Sequence, residues 1–277
     1  MLSQVPKHVL PPYWNTIIGT GLTYVIASLF GIMASTAAIL ATTSTELLKD
    51  KGSYPWYRLI TSRSSRLFYR RSGVYQMVIF VLEELGLPYE IKVIPFSAVK
   101  SAPFTDLNPN GRVPVIEDPN RDLVLWESGA VLTYLAQEYD KNQTLTYARG
   151  NEVHHINQWL YFQTSGQGPY YGQAAWFKIH HPERVQSAID RYINEIKRVL
   201  GVLNRSLEGR EWLVGDKMTI ADMAFVPYNS LLHFFFECQP EDAFNDFPNV
   251  GSWHQRMTLR DSWKMVTELK GTIEINV

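Results

Sequence analysis

Hydropathy divides the chain in two. Between His8 and Glu46 there is no charged residue, and "NTIIGTGLTYVIASLFGIMASTAAILATTS" is apolar apart from small polar side chains. A bilayer crossing takes about 20 apolar residues. The stretch therefore predicts a transmembrane helix over about 16–42, within an N-terminal extension spanning 1–62. A cleaved leader or a mis-assigned start is the alternative, since a leader also shows an apolar run with small residues near its end. No polar face recurs at helical spacing, so a buried amphipathic helix ranks last. Lys49, Lys51, Arg58, Arg63, Arg66, Arg70 and Arg71 follow the run, and only Lys7 and His8 precede it. That asymmetry predicts a membrane-anchored protein with its globular part facing the cytoplasm. Without the anchor, the expectation is a cytoplasmic protein.

From about Arg66 the pattern alternates. "RLFY" reads as a short strand, and "VYQMVIFVLEELG" as a helix with Val74, Val78, Val81, Leu82 and Leu85 on one stripe. Gly86 is placed to end it. "YEIKVIP" is a second strand, followed by a short irregular helix near 102–107. Strand "PVIED", a turn at "DPNRD", strand "LVLWE" and a helix from Ser128 to Tyr139 complete the order β-α-β-α-β-β-α. Such an order suits a mixed sheet with helices packed on it.

After a linker near "DKNQTLTYARG" the periodicity is helical throughout. Val185, Ile189, Ile193, Ile196, Leu200, Leu203 and Leu207 fall on one side of a long helix. In "MTIADMAF", Thr219 followed three residues later by Asp222 reads as a capping box with Asp in place of Glu. The fold class is therefore α/β plus all-α. The α/β domain is assigned to 63–143 and the all-helical domain to 148–277.

Composition narrows the chemistry. A net charge of -1 over 277 residues gives no basic face for phosphates, so no nucleic-acid partner is expected. Cys238 is the single cysteine, which excludes a disulfide framework and CxxC motifs, and it reads as a buried structural thiol. His154–His155 and His180–His181 are adjacent rather than a helical turn apart, so no metal site is predicted. The sequons at Asn142 and Asn204 would be silent on the cytoplasmic side.

One stretch concentrates the remaining signal: "LNPNGRVPVIEDPNRDLVLWESGAVLTYLAQEYD", from Leu107 to Asp140. A proline opening a strand removes a ladder donor. If the bond before it is cis, Val113 turns its N–H and C=O outward, toward an extended peptide-like ligand. Glu127 and Ser128 stand where a helix begins, with unpaired N–H groups that suit a carboxylate. Glu127 can meanwhile take an ammonium. A ligand carrying both charges on one carbon, next to a peptide backbone, is an amino acid joined to a short peptide.

"LEELGLPYE", "NPNGRVPVIED", "LWESGAVLTYLAQEYD" and "EWLVGDKMTIADMAF" together resemble the glutathione transferase family. "INQWLYFQTSGQGPYYGQAAWF" is similar to its fungal nitrogen-regulator-like and nu-class-like branch. The resemblance covers about 66–270. It implies a thioredoxin-like N-terminal domain, a helical C-terminal domain, a homodimer, and glutathione as co-substrate with no cofactor. It also implies that Val113, before a cis Pro114, pairs with the cysteinyl backbone of glutathione. Glu127 and Ser128 would hold the γ-glutamyl end and Lys100 the glycyl carboxylate, with Arg112 as a weaker contact or a brace for the loop.

Catalysis needs a thiolate, and a free thiol with pKa about 8.5 is mostly protonated at neutral pH. The family places the activating donor between the first strand and first helix. Here that segment reads "YRRSGVYQM", without the Asn of the nu-like pattern. Ser72 is the first candidate donor, with Arg70 and Arg71 adding positive field, and Tyr75 is the second. Equally, Ser72 reads as a helix cap and Tyr75 as a packed aromatic. Tyr161, Phe162, Tyr170, Tyr171, Trp176 and Phe177 form an aromatic-rich stretch around "TSGQGP", which should kink its helix. Phe162, Tyr170, Tyr171 and Trp176 are the candidates to line a site for an apolar second substrate.

The leading expectation is a glutathione S-transferase that joins the thiolate to a hydrophobic electrophile, in detoxification or fungal secondary metabolism. The alternatives are a non-conjugating regulatory or scaffold protein that keeps the fold, and a glutathione-dependent isomerase or peroxidase.

Overall fold

Tyr57–Arg63 forms the first strand, β1, of a four-stranded sheet in the computed structural model, which describes residues 57–63 and 73–275. The strand expected at "RLFY" lies outside the described residues, and the sheet begins earlier than the boundary at 63. The other strands are β2 (Tyr89–Pro95), β3 (Val115–Asp118) and β4 (Leu123–Trp126). Their spatial order is β2-β1-β3-β4. β1 runs parallel to β2, from Tyr57 opposite Tyr89 to Arg63 opposite Pro95. It runs antiparallel to β3, with Leu59 opposite Ile116. β3 and β4 form the expected hairpin, Val115 opposite Trp126.

Three helices belong to this part: α1 (Tyr75–Glu84), α2 (Phe104–Leu107) and α3 (Ser128–Tyr139). Gly86, with φ +61°, follows the end of α1 in the left-handed region that glycine adopts at little cost. The sequence showed one apolar stripe on α1, yet Met77, Val78, Ile79, Phe80, Val81 and Leu82 are all fully buried. A helix that is apolar all round must be covered on every side. α3 packs on one side of α1, and elements of the helical part pack on others.

The helical part runs through α4 (Asn151–Phe162), α5 (Gly168–Ala175), α6 (Gln186–Ser206), α7 (Ile220–Met223), α8 (Val226–Asn229) and α9 (Leu232–Phe236). It ends in α10 (Pro248–Thr258) and α11 (Asp261–Ile275). The break expected at "TSGQGP" is a π-helical turn over Gln163–Gln167, and a second π turn spans Trp176–His180. The capping box is present. Thr219 Oγ1 accepts from Ala221 N at 3.3 Å, and Asp222 Oδ2 accepts from Thr219 N at 2.8 Å. Asp222 also accepts from Leu213 N and Trp253 Nε1, each at 2.9 Å, tying three segments to one buried carboxylate. Phe80 of α1 meets Trp263 of α11 edge to face at 5.3 Å, so both parts share a core.

The expectation of a membrane anchor, and with it a membrane-anchored location, is corrected. Among the described residues no helix is long and apolar enough to cross a membrane. The longest, α6, has 21 residues but carries charges along its exposed side. The run at 16–42 lies outside the described residues.

Candidate functional site

The site is built on a loop, residues 108–114, set against the first turn of α3. Asn108 organises the loop from inside. Its side chain is buried, its Oδ1 accepts from Asn110 N at 2.9 Å, and its Nδ2 donates to Arg112 O at 2.6 Å. Gly111 has φ +60°, and a Cβ placed there would lie 2.5 Å from Val99 O, so only glycine fits. The loop is thereby pressed onto the 3₁₀ turn Phe96–Lys100, and Lys100 Nζ donates to Asn110 O at 3.0 Å. A cis bond joins Val113 to Pro114, and another, not expected from the residue pattern, joins Ala102 to Pro103. Among the described residues the Val113 main chain makes no hydrogen bond.

Glu127 begins α3 from φ +69°, ψ 113°, a conformation that L residues other than glycine seldom hold. Such strain persists only where the surroundings enforce it, and it clusters at functional positions. Glu127 is exposed, and its Oε1 accepts from Asn110 Nδ2 at 3.5 Å. No side chain caps α3. Among the described residues no hydrogen bond is made by the Ser128 hydroxyl or by the N–H groups of Ser128, Gly129 and Ala130. A cap would have consumed Ser128; instead the helix start presents donors and partial positive charge to whatever lies before it.

Two further contacts set where that helix start sits. Asp118, at the end of β3, accepts from Tyr134 Oη at 2.5 Å and also from Tyr139 Oη. Asn120 adds bonds from its N–H at 2.9 Å and its side chain at 3.0 Å. Burial alone would raise the Asp118 pKa, but these hydrogen bonds outweigh it and hold the carboxyl below its ordinary range. The hairpin is thus fastened to the C-terminal half of α3. At the N-terminal end, a Cβ on Gly129 would lie 3.2 Å from Thr164 Cγ2, so the π turn of the helical part sits directly on the first turn of α3.

Lys100, Arg112, Val113, Pro114, Glu127 and Ser128 thus belong to adjoining segments, with Pro114 buried and Lys100, Arg112 and Glu127 exposed. Ser72 lies outside the described residues. Tyr75 opens α1 with its ring buried in the main core, 8% exposed. The aromatic stretch does not form one wall. Tyr171 is wholly buried, and its hydroxyl donates to Asn229 Oδ1 at 3.3 Å. Burial pushes its pKa up. Phe162 packs against Trp159 at 5.7 Å and Phe225 at 6.4 Å. Tyr170 lies under the Arg198 guanidinium at 5.7 Å, and Trp176 is exposed beside His180.

Sequence reasoning passed over Asn108, Asn110 and Asp118. The first two were visible inside "NPNGR" as a side chain able to close an Asx turn; Asp118 looked only like a hairpin residue. A cavity of about 350 Å³ lies toward the other end of α3, lined by Thr133, Gln137, Lys141, Gln143, Asn157 and others. None of the proposed glutathione contacts lines it. Among the described residues, no group of three or more His, Cys, Asp or Glu gathers for a metal ion.

Residues 71–138 match the family model for the glutathione S-transferase N-terminal domain, and residues 169–261 that for the C-terminal domain. Over 198 residues the chain is 46% identical to the glutathione S-transferase-like protein gedE of Aspergillus terreus, spanning 68% of this chain and 88% of that one. It is 34% identical over 235 residues to the transcriptional regulator URE2 of Saccharomyces cerevisiae, spanning 70% and 64% respectively. The crystal structure of the glutathione transferase URE2P8 from Phanerochaete chrysosporium, with oxidized glutathione, superposes with a TM-score of 0.72 at 38% identity, covering 80% of this chain and 98% of that one. The chain belongs to the glutathione S-transferase family, on its fungal, Ure2-like branch.

Proposed function

We propose that the chain binds glutathione in the groove between the 108–114 loop and α3 and transfers its thiolate to a hydrophobic electrophile. The carrying observation is the strained, exposed Glu127 beside an uncapped helix start and a free Ser128 hydroxyl. Glu127 takes the γ-glutamyl ammonium, while Ser128 and the N–H groups behind it take the α-carboxylate. Val113, next to the cis bond, offers its N–H and C=O to the cysteinyl backbone as an added strand would. Lys100, with Arg112 nearby, supplies positive charge for the glycyl carboxylate. Ser72 is carried as the thiol donor. The buried ring of Tyr75 leaves it the weaker choice. Pairing of two copies, and work in detoxification or fungal secondary metabolism, belong to the same proposal and rest on the family resemblance.

The test is glutathione affinity by calorimetry on the full chain. Binding is expected for the natural protein, and Glu127→Gln should weaken it at least tenfold by removing one charge-assisted contact. A natural protein that does not bind glutathione ends the reading. Ser72→Ala should raise the pKa of the bound thiol, and an unchanged thiolate absorbance titration removes Ser72 from the mechanism. A regulatory role without conjugation is the second reading, favoured by the identity to the yeast regulator. Tight glutathione binding with no turnover of any electrophile would select it.

A further inference from the structure

Four polar side chains are buried together behind the π turn. Gln163 opens the turn, Gln167 closes it, Tyr171 follows in α5, and Asn229 ends α8. None of the four is more than 2% exposed. Gln163 Nε2 donates to Gln167 Oε1 at 3.2 Å, which ties the two ends of the turn together. Gln167 Nε2 donates to Asn229 Oδ1 at 2.9 Å and to Phe225 O at 3.3 Å, which ties the turn to α8. Tyr171 Oη donates to the same Asn229 oxygen. α8 packs in turn on α1 and α10, so the anchorage is part of the common core.

Stability is not what this row of amides serves. Asn229 Nδ2 is sealed from solvent and has no hydrogen-bond partner among the described residues. A buried donor left unpaired is costly, and a half-satisfied polar network is less stable than an apolar core of the same shape. What the row supplies is geometry. π turns are rare and carry one residue more than an α turn, so relaxation would swing one flank by about 100° round the helix axis. Thr164 stands half-buried in this turn. Its Oγ1 donates to Tyr161 O at 3.2 Å, and its Cγ2 lies 3.2 Å from where a Cβ on Gly129 would stand. The methyl is thus set against the first turn of α3, one residue past Ser128 and beside N–H groups that no side chain caps.

We infer that Gln167 is a positioning residue for the α-carboxylate of glutathione. By clamping the π turn it keeps the Thr164 methyl against Gly129, and that contact holds Ser128 and the free N–H groups of α3 aimed at the carboxylate. This rests on the proposed seat of the γ-glutamyl end at Ser128. The Gln167 amide is buried and acts only through the turn. The effect is selective for one group of the ligand. Donors at a helix start act over a short range and are fixed in direction by the backbone. The Glu127 side chain can follow the ammonium by rotating, and the cysteinyl and glycyl contacts belong to the 108–114 loop and Lys100.

The test measures, by calorimetry on the full chain, the binding of glutathione and of 4-aminobutyryl-cysteinylglycine, which is glutathione without its α-carboxylate. Gln167→Met keeps the length of the side chain and removes its hydrogen bonds. Thr164→Ser keeps the hydroxyl and removes only the methyl. Each should weaken glutathione about fivefold or more and the analogue less than about twofold, the range a helix start contributes to binding an anion. The double variant should lose no more than the worse single one, because both act through one contact. A merely structural loss would weaken both ligands alike, and that result overturns the inference. So does glutathione affinity held within about twofold in Thr164→Ser or in folded Gln167→Met. Losses that multiply in the double variant, or a natural protein that binds both ligands equally, overturn it as well. If Gln167→Met does not fold, Thr164→Ser decides alone. A natural protein that binds neither ligand is a separate result, and it removes the underlying reading instead.

Discussion

Glu84, in the last turn of α1, grips Arg260 through two parallel hydrogen bonds, Nε to Oε1 at 2.5 Å and Nη2 to Oε2 at 2.8 Å. Ser262 Oγ donates to the same carboxylate. The pair joins the α/β part to the start of α11, 176 residues further along the chain. With Phe80 against Trp263 nearby, it fixes how the C-terminal helix lies on α1.

The Glu84 side chain is 11% exposed and that of Arg260 is 42% exposed, so the carboxylate has more to lose from a broken pair. Arg260→Ala leaves it with Ser262 as its remaining side-chain partner. The expected loss is about 1–2 kcal/mol, more than a wholly exposed pair contributes. Thermal unfolding should shift down by a few degrees. An unchanged midpoint would show that the clasp is ornamental to stability.

His254 lies buried in α10 against Phe244, and its Nδ1 has no hydrogen-bond partner among the described residues. Burial lowers its pKa to about 4, against the ordinary 6.5. The folded state therefore resists protonation while the unfolded chain accepts it. Stability from this group is complete above pH about 6.5 and declines as pH falls toward 4. The full difference is about 3 kcal/mol by linkage. Denaturant titrations at pH 7 and pH 4.5 should show the decline, and His254→Gln should flatten it even though the variant is less stable at neutral pH.

The shape of the 108–114 loop depends on two residues outside the proposed glutathione contacts. Asn108→Ala removes the bonds to Asn110 N and Arg112 O, worth about 1–2 kcal/mol together where buried. Gly111→Ala meets both a positive φ and the 2.5 Å approach to Val99 O. Each should weaken glutathione binding about tenfold while far-ultraviolet circular dichroism stays native. Affinity equal to the natural protein in both would mean that the loop does not shape the groove.

Much of this was legible because it is local. α3 and β2 have the bounds that periodicity assigned, since alternation and a 3.6-residue stripe report how one segment meets a neighbour. The Thr219–Asp222 capping box needs only four residues to be recognised. The strand expected at "RLFY" lies outside the described residues. What holds "YRLITSR" in the sheet is its parallel register with β2 and its antiparallel register with β3, and neither is written in its own neighbouring residues. Ser72 was proposed from its place in the chain and lies outside the described residues.

The order of the amino acids alone determined the alternation of strands and helices, the loop with its proline-opened strand, and the acid–hydroxyl pair at a helix start. Each is written in neighbouring residues, whose backbone preferences act over one or two turns. Tertiary structure alone decided that α1 is buried on every side, that Asn108 faces inward and that Tyr171 belongs to the core. Those outcomes depend on which distant surfaces exclude water from a side chain, and residues as far apart as Phe80 and Trp263 meet only once the chain has folded.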